Sequence, residues 1–394
     1  MASPSDIMKL LEKLQSMNIN VHQSRCIEVR NRNAHCMRCA QVCTSGCISY
    51  FDNELSIDPG KCIGCGTSAT ACPTCALEAQ NPSDKELMHK CVLAARAADG
   101  EVIIACNQLL EAAEGLYDVE KVVGVKCLGR VEESLLVTLA DAGAKHIRLV
   151  MGKCDECEHA SGLRMCEQVR DTANALLETW NSEVRVQISR KLPRAARLTD
   201  KGYDESKRMF FTDTRDTAKK AAVAAGNYAI DDALDIEEPE EPRYQKVDEE
   251  GVLPHFVPNR RELLMQSLGD LGEPQDVMID TRLWGHVVIE TDKCVSCMMC
   301  VTFCPTGALH QFHDEDGTMG IEHYPGDCVK CRTCEQICPK GAPWISEEVF
   351  AVDMLSGAME RYVLKESGLD TGSPQQMFNN VRGLMHDNKY ITEV

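Results

Sequence analysis

Apolar residues keep two alternating rhythms over residues 84–190. Short β-branched runs, Val102-Ile-Ile-Ala105, Val122-Val-Gly-Val125, Ile147-Arg-Leu-Val150 and Val184-Arg-Val-Gln-Ile188, read as strands. Between them the spacing lengthens to the helical period, in Lys85 to Ala98, Val131 to Ala142 (Leu135, Leu136, Leu139) and Gly162 to Trp180. Strands and helices taking turns in this way predict a small parallel α/β sheet, a fold that gathers ligands beyond the carboxyl ends of its strands. No G-x-G-x-x-G follows any of these strands, so a dinucleotide is not expected there.

Outside that segment the patterning is shorter-ranged. Leu55-Ser-Ile57 and Trp284-Gly-His-Val-Val-Ile289 read as strands, and Asp204 to Ala225 as a helix. Asp231 to Glu241 is dense in acids and precedes Pro242, the pattern of a solvated linker. A helix is predicted from a cap at Asn259 through Leu268, stopping at Gly269. The tail beyond Ser346 predicts another, on Val349, Met354, Met359 and Val363. The expected division is 1–83, 84–190, a helical and acidic linker 191–283, 284–345 and a helical tail 346–394.

Composition sharpens this. Asp plus Glu number 61 against 42 Lys plus Arg, a formal charge of -19, which argues against a nucleic-acid partner. No run approaches about 18 uninterrupted apolar residues, so no membrane span is expected. Met1 to Asn20 is polar and mildly amphipathic (Met8, Leu11, Leu14, Met17), without the apolar core of a secretory signal. In a 394-residue chain read as cytoplasmic, 23 cysteines point to metal or redox chemistry rather than to a disulfide framework.

Eight of those cysteines write one spacing twice: Cys294, Cys297, Cys300, Cys304-Pro305, then Cys328, Cys331, Cys334, Cys338-Pro339. Thiols at i, i+3 and i+6 curl round one face of a small inorganic core, and the proline after the last cysteine starts a new segment. This stretch resembles the bacterial two-cluster ferredoxins. The resemblance implies two [4Fe-4S] clusters with crossed ligation, Cys294, Cys297, Cys300 and Cys338 holding one and Cys328, Cys331, Cys334 and Cys304 the other. His310 and His313 lie beside these loops and read as surface residues.

An irregular copy occupies the N-terminus. Cys36, Cys39 and Cys43 keep the x2 and x3 spacings, with Cys26 standing in for a missing first cysteine and Ile27 to His35 looping out. The second run, Cys62, Cys65, Ser68 and Cys72-Pro73, has serine at its third position. Crossed ligation then gives Cys26, Cys36, Cys39 and Cys72 to one [4Fe-4S] cluster and Cys62, Cys65 and Cys43 to another. For the open fourth position three outcomes stand: a replacement thiolate from Cys47 or Cys75, a [3Fe-4S] cluster, or ligation through the Ser68 oxygen. A zinc ribbon is the alternative for such paired cysteines.

In the α/β segment Cys106, Cys127, Cys154 and Cys157 sit at strand ends, whereas Cys166 and Cys91 fall on apolar helix faces and read as core. Cys106-Asn, Cys127-Leu-Gly-Arg130 and Gly152-Lys-Cys154-Asp-Glu-Cys157 resemble the delta-subunit family of methyl-viologen-reducing hydrogenase. The resemblance spans about 90 residues and departs from the family's second early cysteine and wider last pair. It implies a [2Fe-2S] cluster, with zinc or a redox-active thiol pair as the alternatives at this site, and electron exchange with a hydrogenase, a formate dehydrogenase or a flavin-containing, heterodisulfide-reductase-like protein. The fold expected overall is α+β, ferredoxin-like dicluster units flanking a small α/β parallel-sheet domain. The function expected is a non-catalytic electron-transfer subunit of an anaerobic oxidoreductase, with an enzyme using an incomplete cluster or a standalone polyferredoxin as alternatives.

Overall fold

The computed structural model describes residues 18–198, 247–248 and 251–365. The expected helix 204–225, the acidic run 231–241, the amphipathic start and the tail beyond 365 lie outside the described residues.

The N-terminal unit is framed by β1 (Ile19–Val21), β2 (Ile48–Phe51), β3 (Glu54–Ile57) and β4 (Leu77–Ala79). β2 and β3 form a tight hairpin because Asp52 and Asn53 both take positive φ. β1 closes the unit by pairing antiparallel with β4. The segment Ile27 to His35 is not the loop expected. Ile27–Arg30 and Arg32–Ala34 are helical turns, because Ile27 and Ala34 are buried against Leu253, Met299, Phe303 and Ile337.

The middle unit holds β5 (Glu101–Cys106), β6 (Val123–Val125), β7 (His146–Val150) and β8 (Val186–Ser189), in one parallel sheet of order β6-β5-β7-β8. β5 is central, and its side chains from Val102 to Ala105 are wholly buried. The helix Asp84–Ala97 starts with a capping box, Ser83 Oγ accepting from the Glu86 amide at 3.3 Å and Glu86 Oε2 from the Ser83 amide at 3.0 Å. The helix Glu133–Asp141 is capped by the buried Glu132 carboxylate, which accepts from the Ser134 and Leu135 amides. The helix Asn259–Leu271 packs on it, with Leu264 and Leu268 buried and Ser267 Oγ 2.7 Å from Thr138 Oγ1. This helix is capped at Pro258 rather than Asn259 and passes through Gly269 to end at Gly272, whose φ is 111°. Burial of its apolar face outweighs the cost of about 1 kcal/mol for one interior glycine.

The remaining strands are β9 (Met278–Asp280), β10 (His286–Ile289), β11 (Leu309–His313), β12 (Met319–His323), β13 (Pro343–Ser346), β14 (Glu348–Phe350) and β15 (Glu360–Val363). β10 pairs with β13 around a β11–β12 hairpin, the same strand–hairpin–strand order as β1, β2, β3 and β4. The helix expected beyond Ser346 is absent from the described residues up to 365. β14 pairs with β9, β15 with β12, and a short turn Ala351–Met354 joins them before Gly357 at φ 70°. Pairing with β9 buries Val349 fully and the turn that follows buries Met354, which a free-standing helix would not.

His323 locks this end. Its Nε2 accepts from the Val287 amide at 2.9 Å and its Nδ1 faces the Ala308 carbonyl at 3.1 Å, so the neutral, Nδ1-protonated ring is the form that fits. Burial pulls its pKa down to about 4, with neighbouring His286 adding to the effect. The folded value lies below the unfolded one, so this contribution is present above about pH 6.5 and is lost as pH falls towards 4. Urea unfolding is expected to show about 2 kcal/mol less stability at pH 5 than at pH 7 from this ring. His323→Gln should remove that part of the pH dependence, and an unchanged pH profile would refute the assignment.

Candidate metal centres

Four loops share one backbone shape, and each sets a cysteine at its centre. Ser296 and Met298 flank Cys297 with φ of 55° and 56°, and Lys330 and Arg332 flank Cys331 with 50° and 67°. Gly64 and Gly66 flank Cys65 with 65° and 78°, and His35 and Met37 flank Cys36 with 45° and 31°. Each loop runs straight into a short helix: Met299–Thr302, Thr333–Ile337, Thr67–Ala71 and Arg38–Gln41. A left-handed residue costs a side chain about 1 kcal/mol, so six non-glycine residues held there mark a shape imposed by the loop's task. The shape turns backbone amides towards sulfur. Amides two residues on hydrogen-bond Cys36, Cys297 and Cys331, drawing down thiol pKa values that burial raises more strongly.

In the C-terminal unit the thiols group across the two runs. Charge on Cys338 acts on Cys294, Cys297 and Cys300, and charge on Cys304 acts on Cys328, Cys331 and Cys334; Cys304 also reaches Cys300, and Cys300 reaches Cys334, so the two groups adjoin. Burial is the larger influence and pushes Cys331 to about 11 and Cys328 to about 12. Such thiols stay protonated in water at neutral pH and need a cation to hold them as thiolates.

The N-terminal unit also brings cysteines of both its runs together. Cys26, Cys36, Cys39 and Cys72 line one small cavity, so the distant Cys26 reaches the place of the missing first cysteine. The Ala76 amide donates to Cys72 Sγ at 3.3 Å, as the Ala342 amide does to Cys338 Sγ at 3.4 Å. Of the two candidate replacements, Cys47 lies with its Sγ 3.5 Å from Cys43 Sγ and within reach of the charge of Cys62. Cys75 is buried among Arg260, Cys72, Asp84 and Glu132, with none of Cys43, Cys62 and Cys65 among its main neighbouring charges. Ser68 is buried on the helix Thr67–Ala71.

In the middle unit Cys106, Cys127, Cys154 and Cys157 line one cavity beyond the carboxyl ends of β5, β6 and β7. Cys166, read from the sequence as core, is buried and lines that cavity as a fifth thiol. The signal was its place one helical turn after Gly162, where a Cβ would come 2.2 Å from Cys127 Sγ. His159 also lines it, with a buried Nδ1 that has no partner. Cys91 is fully buried in the apolar core and lines none of these cavities.

The three units touch through these sites. Cys36, Cys297 and Cys331 pack against one apolar cluster. Arg30 donates to the Pro254 carbonyl at 2.9 Å and the Cys304 carbonyl at 3.4 Å, and Arg38 to the Lys330 carbonyl at 3.1 Å. On the other side the charge of Cys65 acts on Cys127.

Residues 286–342 match the family of 4Fe-4S dicluster domains, a span that contains all eight C-terminal cysteines. The match supports [4Fe-4S] binding and an iron–sulfur electron-transfer role for this chain, of the ferredoxin type. No curated protein and no solved structure matches the chain. Among the described residues no helix is long and apolar enough to cross a membrane.

Proposed function

We propose that the chain is a multi-cluster electron-transfer subunit of a larger cytoplasmic oxidoreductase, built from ferredoxin-like units around a hydrogenase-delta-like sheet domain. The observation that carries this reading is continuity. Every cysteine group lies beside the next, from the strand-end cavity through Cys65 to the N-terminal loops, and from Cys36 to Cys331 and Cys297. Bound clusters would supply one-electron steps, and the chain's part is to bury them, donate amides to sulfur and keep them close.

In this reading the ligand sets are Cys294, Cys297, Cys300 and Cys338; Cys328, Cys331, Cys334 and Cys304; Cys26, Cys36, Cys39 and Cys72; and Cys43, Cys47, Cys62 and Cys65. Cys106, Cys127, Cys154 and Cys157 hold a [2Fe-2S] cluster. The repeated C-x2-C-x2-C-x3-C-P run and its match to 4Fe-4S dicluster domains favour clusters over zinc. A single zinc draws four donors to about 2.3 Å from one point. Eight cysteines in two runs, each closed by a proline, suit instead two cores in which each sulfur meets its own iron. A wire needs two ends, and the partners that fit are a hydrogenase or formate dehydrogenase at one and a flavin-containing, heterodisulfide-reductase-like protein at the other.

Anaerobically purified protein is expected to carry about eighteen irons, four cubanes and one binuclear centre, with matching sulfide. It is also expected to co-purify with large redox partners. Abundant zinc with little iron, or a lone chain that turns over a substrate, would overturn the reading.

A further inference from the structure

Four arginines, Arg38, Arg260, Arg261 and Arg282, line a partly open cavity of about 330 Å³ where the three units meet. In a chain with a net charge of -19 this concentration of positive charge needs a cause. The two acids in the lining are already engaged. Glu132 caps its helix through both oxygens, and Glu133 pairs with Arg282. Arg260 pairs with Asp84 from outside the lining. Among the described residues, no carboxylate pairs with Arg38 or Arg261.

Arg261 is built like a receptor. It is 93% buried by its 7% exposure, and its guanidinium stacks 3.8 Å over the buried Trp284 ring. Its Nη2 donates to the Leu283 and Cys328 carbonyls at 2.6 and 2.8 Å, while Nη1 is buried without any partner. A buried charged donor left unpaired is costly, and a fixed guanidinium fork matches a carboxylate or oxyanion in shape. The volume falls at the small end of ligand sites. The only cysteines in the lining are Cys72 and Cys75, so the cavity borders the N-terminal group through Cys72 but gathers no cysteine quartet of its own.

We propose that this cavity binds a small dianion, an oxyanion or a short dicarboxylate, seated on Arg261 and Arg38 against the loop that carries Cys72. The ligand would sit against a cluster loop without touching iron. Anion binding is measured separately from iron content, so it stands or falls apart from the cluster reading.

The test is anaerobic calorimetry on the full iron-loaded chain with phosphate, succinate and neutral succinamide as probes. At least one dianion is expected to bind at millimolar concentration or below, with succinamide inert, and the two dianion arms distinguish oxyanion from dicarboxylate. Arg261→Met should weaken binding about tenfold or more. Gln168 lies exposed at the cavity rim, so Gln168→Trp should obstruct entry with similar loss while leaving the interior intact. No heat with either dianion, equal binding of succinamide, or unchanged binding in Gln168→Trp overturns the proposal. The arginines would then serve only to balance the charge of neighbouring thiolates.

Discussion

Cys304→Ser combined with Cys328→Ser is expected to remove the iron of one cluster, whereas Cys304→Ser combined with Cys294→Ser removes that of two. The first pair should leave about fourteen irons per chain and the second about ten, against about eighteen in the parent. The reason is the crossing. Cys304 follows Cys300 by four residues and its charge reaches that neighbour, but it also acts on all three of Cys328, Cys331 and Cys334 in the later run. Residues that act through one shared centre are non-additive, so a second loss from the same quartet costs little more iron than the first. Were each run to hold its own cluster, the order of the two double variants would reverse. Metal analysis and EPR of the two double variants decide between the two wirings, and equal iron in both would sink either.

How far the sequence reaches depends on how local the determining physics is. A repeated cysteine spacing is local, and so is a capping box such as Ser83 with Glu86. The strands of the sheet also show in short β-branched runs, but their order does not. Only the structure sets β5 between β6 and β7 and so brings Cys106, Cys127 and Cys154 to one rim. Two failures have the same origin. Val349 and Met354 have apolar spacing that a helix could use, but the open edge of β9 claims the first as a strand. Ile27 to His35 lacks a long apolar period, so nothing local shows that Ile27 and Ala34 will be buried against the C-terminal unit. Cys166 sits on a face whose period fits both core and cavity, and periodicity alone cannot separate the two.

Cys47→Ala is expected to cost the N-terminal unit a cluster, about four irons or one if a three-iron core survives, while Cys75→Ala leaves the iron count unchanged. From sequence the two cysteines are equivalent, each placed just beyond the last cysteine of a run. The fold separates them. Cys47 is buried beside Cys43 and Cys62, and hydrogen bonds from Ser45 and Cys47 outweigh burial to draw the Cys43 thiol below its ordinary range. Cys47 itself is pushed up to about 12, chiefly by burial, so the close pair shares a proton until a cation takes its place. Cys75 instead stands among Arg260, Asp84 and Glu132 on the arginine-lined cavity. Ser68→Cys supplies the control. If Cys47 completes the site, the added thiol at position 68 changes neither iron count nor EPR signal. In the Cys47→Ala background the same substitution should restore the lost iron only if position 68 faces the cluster. Loss of iron in Cys75→Ala with none in Cys47→Ala would assign the fourth position to the wrong side of the loop and overturn the ligand set.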